Sequence, residues 1–370
     1  MSHLSRLRLS AFRNYAAAAL DLDGRHLVLT GPNGAGKTNL LEAVSLLAPG
    51  RGLRRASFDM LASQGSDQPW AVAASLETPD GPVDIGTGAG PDGGRRVRIN
   101  GANARSIEAM SEYLRVLWLV PAMDGLFTGP AGERRRFLDR LVTTLVPSHA
   151  ATVTSFESAM RQRNRLLETG AEPGWLDALE TEMAFHAAAL HFARVDAVGH
   201  LEALIAQSVD ERAFPAAALA LSPLFEDRPV PAASAALEAE FRALWQAARG
   251  RDRAAGRTLS GPHRVDFEVF YAQKAMPAAL GSTGEQKALL VGLVLAHARL
   301  VKARTGIAPF LLLDEIAAHL DPDRRAALFV ALDALGAQCL MTGTDPMLFD
   351  ALGARAQRVT VRDGRLESTP

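Results

Sequence analysis

The sequence is short of several residue types, and each shortage excludes a class of protein. Cys339 is the only cysteine, so no intrachain disulfide can form, and a single thiol fits a reducing compartment. No apolar run approaches the roughly 20 residues that a membrane span needs, and residues 1–10 lack the apolar segment of a signal peptide. We therefore expect a cytoplasmic protein with no membrane partner.

The chain also has no excess of basic residues and few aromatic ones. The net charge is −1 and aromatic residues make up 6% of the chain, so any nucleic-acid binding must use local basic patches with little base stacking. The hydrophobic residues suffice for a folded core, because the 370 residues are 48% hydrophobic and 22% charged. This length predicts two or three globular domains.

Residues 26–47 contain a complete phosphate-binding loop in its expected setting. The apolar segment His26–Thr30 predicts a buried strand, and the apolar spacing in Asn39–Leu47 predicts a helix. The glycines between them allow a tight turn, Lys37 would reach the β- and γ-phosphates, and the Thr38 hydroxyl would bind Mg²⁺. The sequence therefore predicts a nucleoside triphosphate site formed by Gly31, Pro32, Asn33, Gly34, Ala35, Gly36, Lys37 and Thr38.

The pattern of the chain changes twice along its length. Residues 1–125 alternate between strands and turns, including a strand that runs into the hairpin turn Asn100-Gly101. Residues 126–256 have helical periodicity, with the Pro- and Ala-rich segment Phe214–Ala236 as an irregular connection, and α/β signals return in residues 257–370. We predict an α/β fold, a mixed sheet with flanking helices, into which residues 126–256 insert an all-helical subdomain.

Two acidic residues follow a predicted buried strand, Phe310–Leu313. Asp314, at the strand end, would hold Mg²⁺ directly or through water, and Glu315 would orient and deprotonate the water that attacks the γ-phosphate. Exposed acids at the end of an ordinary strand are the alternative interpretation. The phosphate-binding loop in the same chain favours the catalytic one.

The segment Ser282–Lys287 precedes a long predicted helix. Ser282 occupies an N-cap position and Glu285 follows three residues later, which is typical of a capping box and needs no further function. The order of motifs argues for more than a cap. A phosphate-binding loop, a long insertion, this Ser-x-Gly-Glu-Gln segment, a strand with Asp-Glu, and Leu320-Asp321 follow one another along the chain.

This order resembles the ATP-binding-cassette ATPases, with a signature motif at Ser282–Gln286 and a D-loop at Ala318–Asp321. The resemblance implies that Ser282, Gly284 and Gln286 contact the γ-phosphate of ATP bound to the opposite subunit. A second helix N-terminus would then close the open side of the anion. Each chain of a homodimer would hold half of each catalytic site.

Five segments narrow the resemblance to the RecF family, which is related to the SMC and DNA-repair ATPases. They are Phe12–Tyr15, Gly31–Glu42, Glu133–Asp139, Gly261–Arg264 and Ser282–Lys287. The resemblance covers essentially the whole chain. It implies a weak ATPase that uses ATP and Mg²⁺, dimerises on ATP and binds gapped DNA or single-stranded/double-stranded junctions. It also implies RecR and RecO as partners in loading RecA.

The sequence departs from transporter-type cassettes at two places. The glutamine that follows the second group of strands in those proteins is missing from Pro121–Asp124, where Asp124 is the candidate substitute. A histidine is missing after the predicted strand that ends at Met341, where Thr344 or Asp345 would sense the γ-phosphate instead. Both absences are compatible with slow hydrolysis.

The remaining candidates are arginines and one histidine. Arg13 and Asn14 are candidate contacts to the base or phosphates, and His263 and Arg264 have either a phosphate-contacting or a structural role. Candidate DNA contacts, each with a solvated helix face as the alternative, are Arg51/Arg54/Arg55, Arg134/Arg135/Arg136, Arg161/Arg163/Arg165 and Arg249/Arg251/Arg253.

Two other functions compete with a DNA-binding ATPase. The first is the nucleotide-binding subunit of a membrane transporter, although such subunits keep the missing glutamine and histidine and have a shorter helical lobe. The second is a nucleotide-gated switch for protein interactions that does not bind DNA. Salt-dependent DNA binding separates both from the main hypothesis.

Overall fold

A computed structural model of the chain describes residues 2–63, 65–90, 93–170, 172–207 and 213–369. The chain divides into two compact units. Unit 1 comprises Met1–Gly125, Ser208–Ala216 and Gly281–Pro370, and unit 2 comprises Leu126–Gln207 and Ala217–Leu280. Residues 257–280, which the sequence assigned to the third segment, therefore lie in unit 2.

The first part of unit 1 consists mainly of strands. In chain order its elements are β1 (His3–Phe12), β2 (Tyr15–Asp21), β3 (His26–Thr30), α1 (Lys37–Ser45), β4 (Ala71–Thr78), β5 (Gly81–Ala89), β6 (Arg95–Ile99), β7 (Ala102–Asn103) and β8 (Val116–Leu119). Six of the strands form an antiparallel sheet in the order β2-β1-β4-β5-β6-β7. The β6–β7 hairpin closes through Asn100-Gly101, as predicted.

The described residues of unit 2 form four long helices and a small sheet. Its elements are α2 (Ala131–Leu145), α3 (His149–Thr169), α4 (Pro173–Gln207), β9 (Ala217–Leu221), α5 (Ser234–Ala255), β10 (Phe267–Tyr271) and β11 (Met276–Pro277). The expectation that residues 126–256 are all helical is wrong at β9, which lies inside the segment predicted as an irregular connection. Antiparallel pairing of β9 with β10 is also what places residues 257–280 in unit 2.

The last part of the chain returns to unit 1. Its elements are α6 (Thr283–Thr305), β12 (Phe310–Leu313), α7 (Pro322–Leu335), β13 (Cys339–Gly343), β14 (Ala356–Arg362) and β15 (Arg365–Thr369). They complete a second six-stranded sheet in the order β15-β14-β3-β13-β12-β8, in which only β15 is antiparallel to its neighbour. The predicted mixed sheet with flanking helices is thus confirmed.

The register of the second sheet determines where its functional edge lies. Thr30 at the end of β3 pairs with Gly343 at the end of β13, and Leu313 at the end of β12 pairs with Met341. The carboxyl ends of these parallel strands therefore meet at one edge, which is where open α/β sheets bind ligands. Strands β3, β8, β12 and β13 are buried along their whole length, which explains their continuous apolar runs.

Each unit has its own core. In unit 1, α6 buries residues around its whole circumference, as a helix inside a domain does. In unit 2, the rings of Phe241 and Trp245 stack at 5.1 Å, and Phe156 packs against Trp245. Among the described residues, no helix combines the length and apolar character that spanning a membrane requires.

Candidate functional site

The loop between β3 and α1 has a backbone that only glycine adopts without strain. Gly31 has φ of 147° and Gly36 has φ of 116°. A Cβ at Gly31 would lie 2.2 Å from the carbonyl oxygen of Val361, and a Cβ at Gly36 would lie 2.8 Å from the Tyr15 hydroxyl. The loop therefore curls tightly at the N-terminus of α1, where the first-turn N–H groups of a helix have no intrahelical partner and attract anions.

Lys37 is the first residue of α1, and its side chain folds back over the loop. Its Nζ donates hydrogen bonds to the carbonyl oxygens of Gly31 at 2.8 Å and Pro32 at 3.1 Å. The same Nζ lies 3.5 Å from Glu315 Oε1. The ammonium group thus joins the loop to the acidic residue that follows β12.

Thr38 and Asp314 form the second link between the loop and the sheet edge. Thr38 Oγ1 lies 2.9 Å and 3.1 Å from the two carboxylate oxygens of Asp314, to which it donates a hydrogen bond. Hydroxyl and carboxylate oxygens are ligands that Mg²⁺ accepts, usually with phosphates and waters completing the octahedron. This pair of oxygen donors therefore fits an ion that nucleotide phosphates help to bind. Among the described residues, no group of three or more His, Cys, Asp or Glu side chains is arranged so that it could hold a metal ion.

Glu315 has an uncommon backbone conformation for a residue other than glycine. Its φ of 56° and ψ of 14° lie in the left-handed region, and it precedes the short 3₁₀ helix Ile316–His319. Its N–H donates to Thr342 Oγ1 at 3.0 Å. Non-glycine residues in this region concentrate at functional sites, where the surrounding structure holds them.

A second layer of polar side chains supports the loop from the β1–β2 turn. Arg13 donates two hydrogen bonds, of 2.9 Å and 2.7 Å, to the buried carboxylate of Glu42, which also accepts one from Arg54 at 2.8 Å. Asn14 Nδ2 donates to the Ala35 carbonyl oxygen at 3.1 Å. Arg13 and Asn14 were candidate contacts to the base or phosphates, and in the structure both hold α1 and its loop.

Tyr15 completes this support, and its hydroxyl donates to the Gly36 carbonyl oxygen at 3.1 Å. Burial raises the pKa of the Tyr15 phenol, so the hydroxyl keeps its proton and remains a donor. Sequence reasoning missed the roles of Tyr15, Glu42 and Thr342. Each of these residues bonds a partner 21 to 29 positions away in the chain, so the pattern of neighbouring residues does not indicate the contact.

Ser282 caps α6 through the predicted capping box. Its Oγ accepts the Glu285 N–H at 3.3 Å, and Glu285 Oε2 accepts the Ser282 N–H at 2.8 Å. Gln286 is buried and donates from Nε2 to the Gly281 carbonyl oxygen at 2.8 Å. Its contact with the nucleotide of a second copy stays a prediction, and Gly284 leaves the first turn of α6 open to approach.

Two candidate substitutes for the missing cassette residues have other partners. Asp124 forms an ion pair of 2.8 Å with Lys287 in the first turns of α6. Asp345 Oδ1 accepts the Met347 N–H at 2.9 Å and caps the 3₁₀ helix Pro346–Arg355. Asp124 therefore ties the segment after β8 to the signature helix. Thr344 and Asp345 are both exposed, and both remain candidates for a phosphate sensor.

Several candidate DNA contacts form ion pairs within unit 2, and one of them is wholly buried. Arg163 is wholly buried and bonds Glu180 and Asp252, each at 2.8 Å. Arg134 pairs with Asp266 at 2.6 Å, and Arg249 lies 2.5 Å from Glu180. Arg163 cannot contact DNA because no solvent reaches it. Helical spacing alone does not distinguish such a residue from a solvated one.

His263 has a structural environment in unit 2. Its Nε2 donates to the Thr258 carbonyl oxygen at 3.0 Å, and its ring packs 5.9 Å from that of Phe156. Burial lowers the pKa of His263 to about 4, so the ring is neutral at pH 7. Of the two roles considered for this residue, the structural one is supported. Arg264, its neighbour, is exposed.

The parallel sheet, the glycine loop before α1 and the acids after β12 define the class of protein, a P-loop ATPase head of the cassette and SMC type. A sequence model described as "RecF/RecN/SMC N terminal domain" matches residues 3–366. The chain is 55% identical over 367 residues to the "DNA replication and repair protein RecF" of Rhizobium etli, covering 98% of each chain. It is also 55% identical over 372 residues to the protein of that name from Mesorhizobium japonicum, covering 100% of this chain and 98% of the relative. The chain belongs to the RecF family.

Solved structures share the fold. One described as "Structure of the recombination mediator protein RecF-ATPrS in RecFOR pathway" superposes with a TM-score of 0.86 at 19% identity, covering 100% of this chain and 98% of that chain. An SMC head bound to the C-winged helix domain of ScpA has a TM-score of 0.56 at 17% identity, covering 99% and 97%. The expected SMC-like head is confirmed.

Proposed function

We propose that this chain is an ATP-dependent DNA-binding protein of recombinational repair and replication. ATP closes two copies into a clamp on gapped DNA or on single-stranded/double-stranded junctions, and slow hydrolysis to ADP and phosphate releases the DNA. The observation that carries the proposal is the set of contacts that joins Lys37 and Thr38 to Asp314 and Glu315. The names of relatives at 55% identity supply the link to DNA replication and repair.

The nucleotide would enter a site that is already assembled. The N–H groups at the start of α1 bind the phosphates, and Lys37 exchanges its bonds to two loop carbonyl oxygens for the β- and γ-phosphates. The Thr38 hydroxyl and the Asp314 carboxylate hold the metal. When bound, Mg²⁺ neutralises charge that develops on the phosphates.

Glu315 is positioned to act as the general base. Its carboxylate takes the proton from the water that attacks the γ-phosphorus, the bond to the bridging oxygen breaks, and ADP leaves with phosphate. Binding of Lys37 to the phosphates removes the cation that lies 3.5 Å from Glu315 Oε1 and leaves this oxygen available to water. A site without the cassette glutamine and histidine is consistent with slow turnover.

The signature segment would complete the site of a second copy. Ser282 and the open first turn of α6 form the N-terminus of a 23-residue helix. A helix end of this kind stabilises a γ-phosphate through its N–H groups and its partial positive charge. ATP is therefore shared by Lys37 of one subunit and Ser282 of the other, so nucleotide and dimerisation are coupled.

The DNA grip is expected to be independent of sequence. With few aromatic residues and a net charge of −1, the protein has exposed arginines for phosphate contacts and little for base recognition. RecR and RecO are proposed as protein partners from the family and from the RecFOR pathway named for one structural relative.

A mobility-shift assay on gapped DNA tests the proposal against a transporter subunit and a DNA-free switch. Wild-type protein with ATP is compared at several NaCl concentrations with Lys37→Met, which removes the ammonium group that binds the phosphates. We expect an ATP-dependent shift that weakens steeply with salt, by about 10³-fold or more between 50 and 200 mM if six phosphates are contacted. A shift that is absent, or equal in Lys37→Met, would refute the clamp.

A further inference from the structure

Thr342 lies at the sheet edge between the two acidic residues and is 1% exposed. Strand β13 pairs with β12 so that Met341 is opposite Leu313, which brings the next residue of each strand, Thr342 and Asp314, side by side. The register of β13 with β3 places Thr342 opposite Leu29, next to the phosphate-binding loop. The fold thus places one hydroxyl beside both Asp314, which would bind the metal, and Glu315, which would act as the base.

This hydroxyl makes two hydrogen bonds of opposite sense. Thr342 Oγ1 donates to Asp314 Oδ1 at 2.7 Å and accepts the Glu315 N–H at 3.0 Å. A hydroxyl has one donor and two acceptor sites, so both bonds form at once. The first orients the Asp314 carboxylate, which also accepts from Thr38, and the second holds the backbone of Glu315.

The second bond matters because of the conformation that it restrains. Glu315 has a left-handed backbone, which residues other than glycine rarely adopt and which persists only where neighbouring groups hold it. A small rotation of this backbone would move the carboxylate away from its place beside Lys37. Misplacement of a reacting group by about 1 Å lowers rates by about 100-fold.

We propose that Thr342 is a positioning residue for ATP hydrolysis, whose hydroxyl simultaneously fixes Asp314 for Mg²⁺ and Glu315 for the attacking water. It does not touch the nucleotide. This inference rests on the proposed ATPase function and adds a residue to it. The apolar residues that precede it in β13 need no hydroxyl for packing, and valine would occupy nearly the same space without either hydrogen bond.

The test compares Thr342→Val with Thr342→Ser, which keeps the hydroxyl. A matched control is Thr144→Val, because Thr144 is a buried threonine of α2 whose hydroxyl donates to the Leu141 carbonyl oxygen at 2.7 Å. Three quantities are measured: kcat and KM for ATP, the Mg²⁺ concentration that half-saturates binding of a fluorescent ATP analogue, and hydrogen–deuterium exchange of the peptide that contains Glu315.

For Thr342→Val we expect kcat to fall by about 10- to 100-fold with KM for ATP changed less than about threefold. Exchange of the Glu315 peptide becomes faster and more Mg²⁺ is needed for half-saturation. Thr342→Ser restores all three quantities towards wild type. Thr144→Val leaves them unchanged although it lowers stability.

Wild-type kcat and exchange in Thr342→Val would overturn the inference, and so would a Thr342→Ser protein as impaired as Thr342→Val. If Thr342→Val does not fold, Thr342→Ala is measured in the same way, since it lacks the hydroxyl without adding a methyl group. A wild-type protein that binds ATP without hydrolysing it would refute the proposed function instead. The exchange and Mg²⁺ measurements would still decide whether Thr342 holds the acids.

Discussion

Replacement of Arg163 by methionine tests the finding that this arginine is a structural residue of unit 2. The guanidinium is 0% exposed and donates to Glu180, Asp252, Thr258 Oγ1 and the Trp245 carbonyl oxygen at 2.8 to 2.9 Å. Methionine fills part of the volume of the arginine side chain but forms none of these hydrogen bonds. The buried carboxylates of Glu180 and Asp252 lose their shared cation.

The magnitude depends on what the two carboxylates retain. Glu180 keeps Arg249, whose Nη2 lies 2.5 Å from its Oε2, whereas Asp252 keeps the Leu259 N–H at 3.2 Å. Removing one partner of a buried ion pair costs about 3–5 kcal/mol, and the remaining Arg249 pair favours the lower end. We expect a loss of about 3 kcal/mol, equivalent to a decrease of roughly 6–12 °C in the Tm of a unit of this size.

Urea unfolding followed by tryptophan fluorescence measures the loss, because Trp245 is buried in this core. Arg161→Met is the matched control on the same helix, where the side chain is 66% exposed and lies 3.9 Å from Glu157. The control is expected to cost less than about 1 kcal/mol. Arg163 is not a structural residue if both variants are equally stable, or if Arg163→Met changes the salt dependence of DNA binding while stability is unchanged.

Two further predictions concern pH and the dimer. Burial opposes ionisation of Asp139, but Arg194 and a hydrogen bond from His149 outweigh it and lower the pKa to about 2. Because this pKa is below the unfolded value, Asp139 stabilises the fold above about pH 4, and this stability of about 2 kcal/mol is lost as pH falls from 4 to 2. Urea titrations should show that Asp139→Asn removes this pH dependence; an Asn variant that parallels wild type at every pH would contradict the assignment. Ser282→Arg should block ATP-driven dimerisation and leave monomer ATP affinity within about threefold, because its effect crosses the interface; loss of monomer affinity would place Ser282 in its own chain's site.

The features that could be predicted from the sequence are those whose conformation is determined within one contiguous segment. The phosphate-binding loop, its strand and helix, the capping box at Ser282 and the strand that ends at Asp314 occupy contiguous segments whose residue types dictate their conformation. Each appears where it was predicted. The fold class followed from the order of these segments.

The parts that sequence missed depend on residues far apart in the chain. Strand β9 (Ala217–Leu221) is rich in alanine and forms because β10 offers it a partner 46 to 54 positions later. Arg163 has the spacing of a solvated residue, and its burial follows from acids on α4 and α5. Thr342 acquires its role because strand register brings it beside acids 28 and 27 positions away. Tertiary pairing, which no local pattern encodes, explains all three.

Sedimentation of Glu315→Gln with and without ATP decides whether two copies of this chain share the nucleotide. The substitution removes the base and keeps the size of the side chain, so ATP binds and is not hydrolysed. We expect a stable dimer with ATP, a monomer without it, and a monomer in Lys37→Met/Glu315→Gln under both conditions. A Glu315→Gln protein that binds ATP and sediments as a monomer would contradict the shared site.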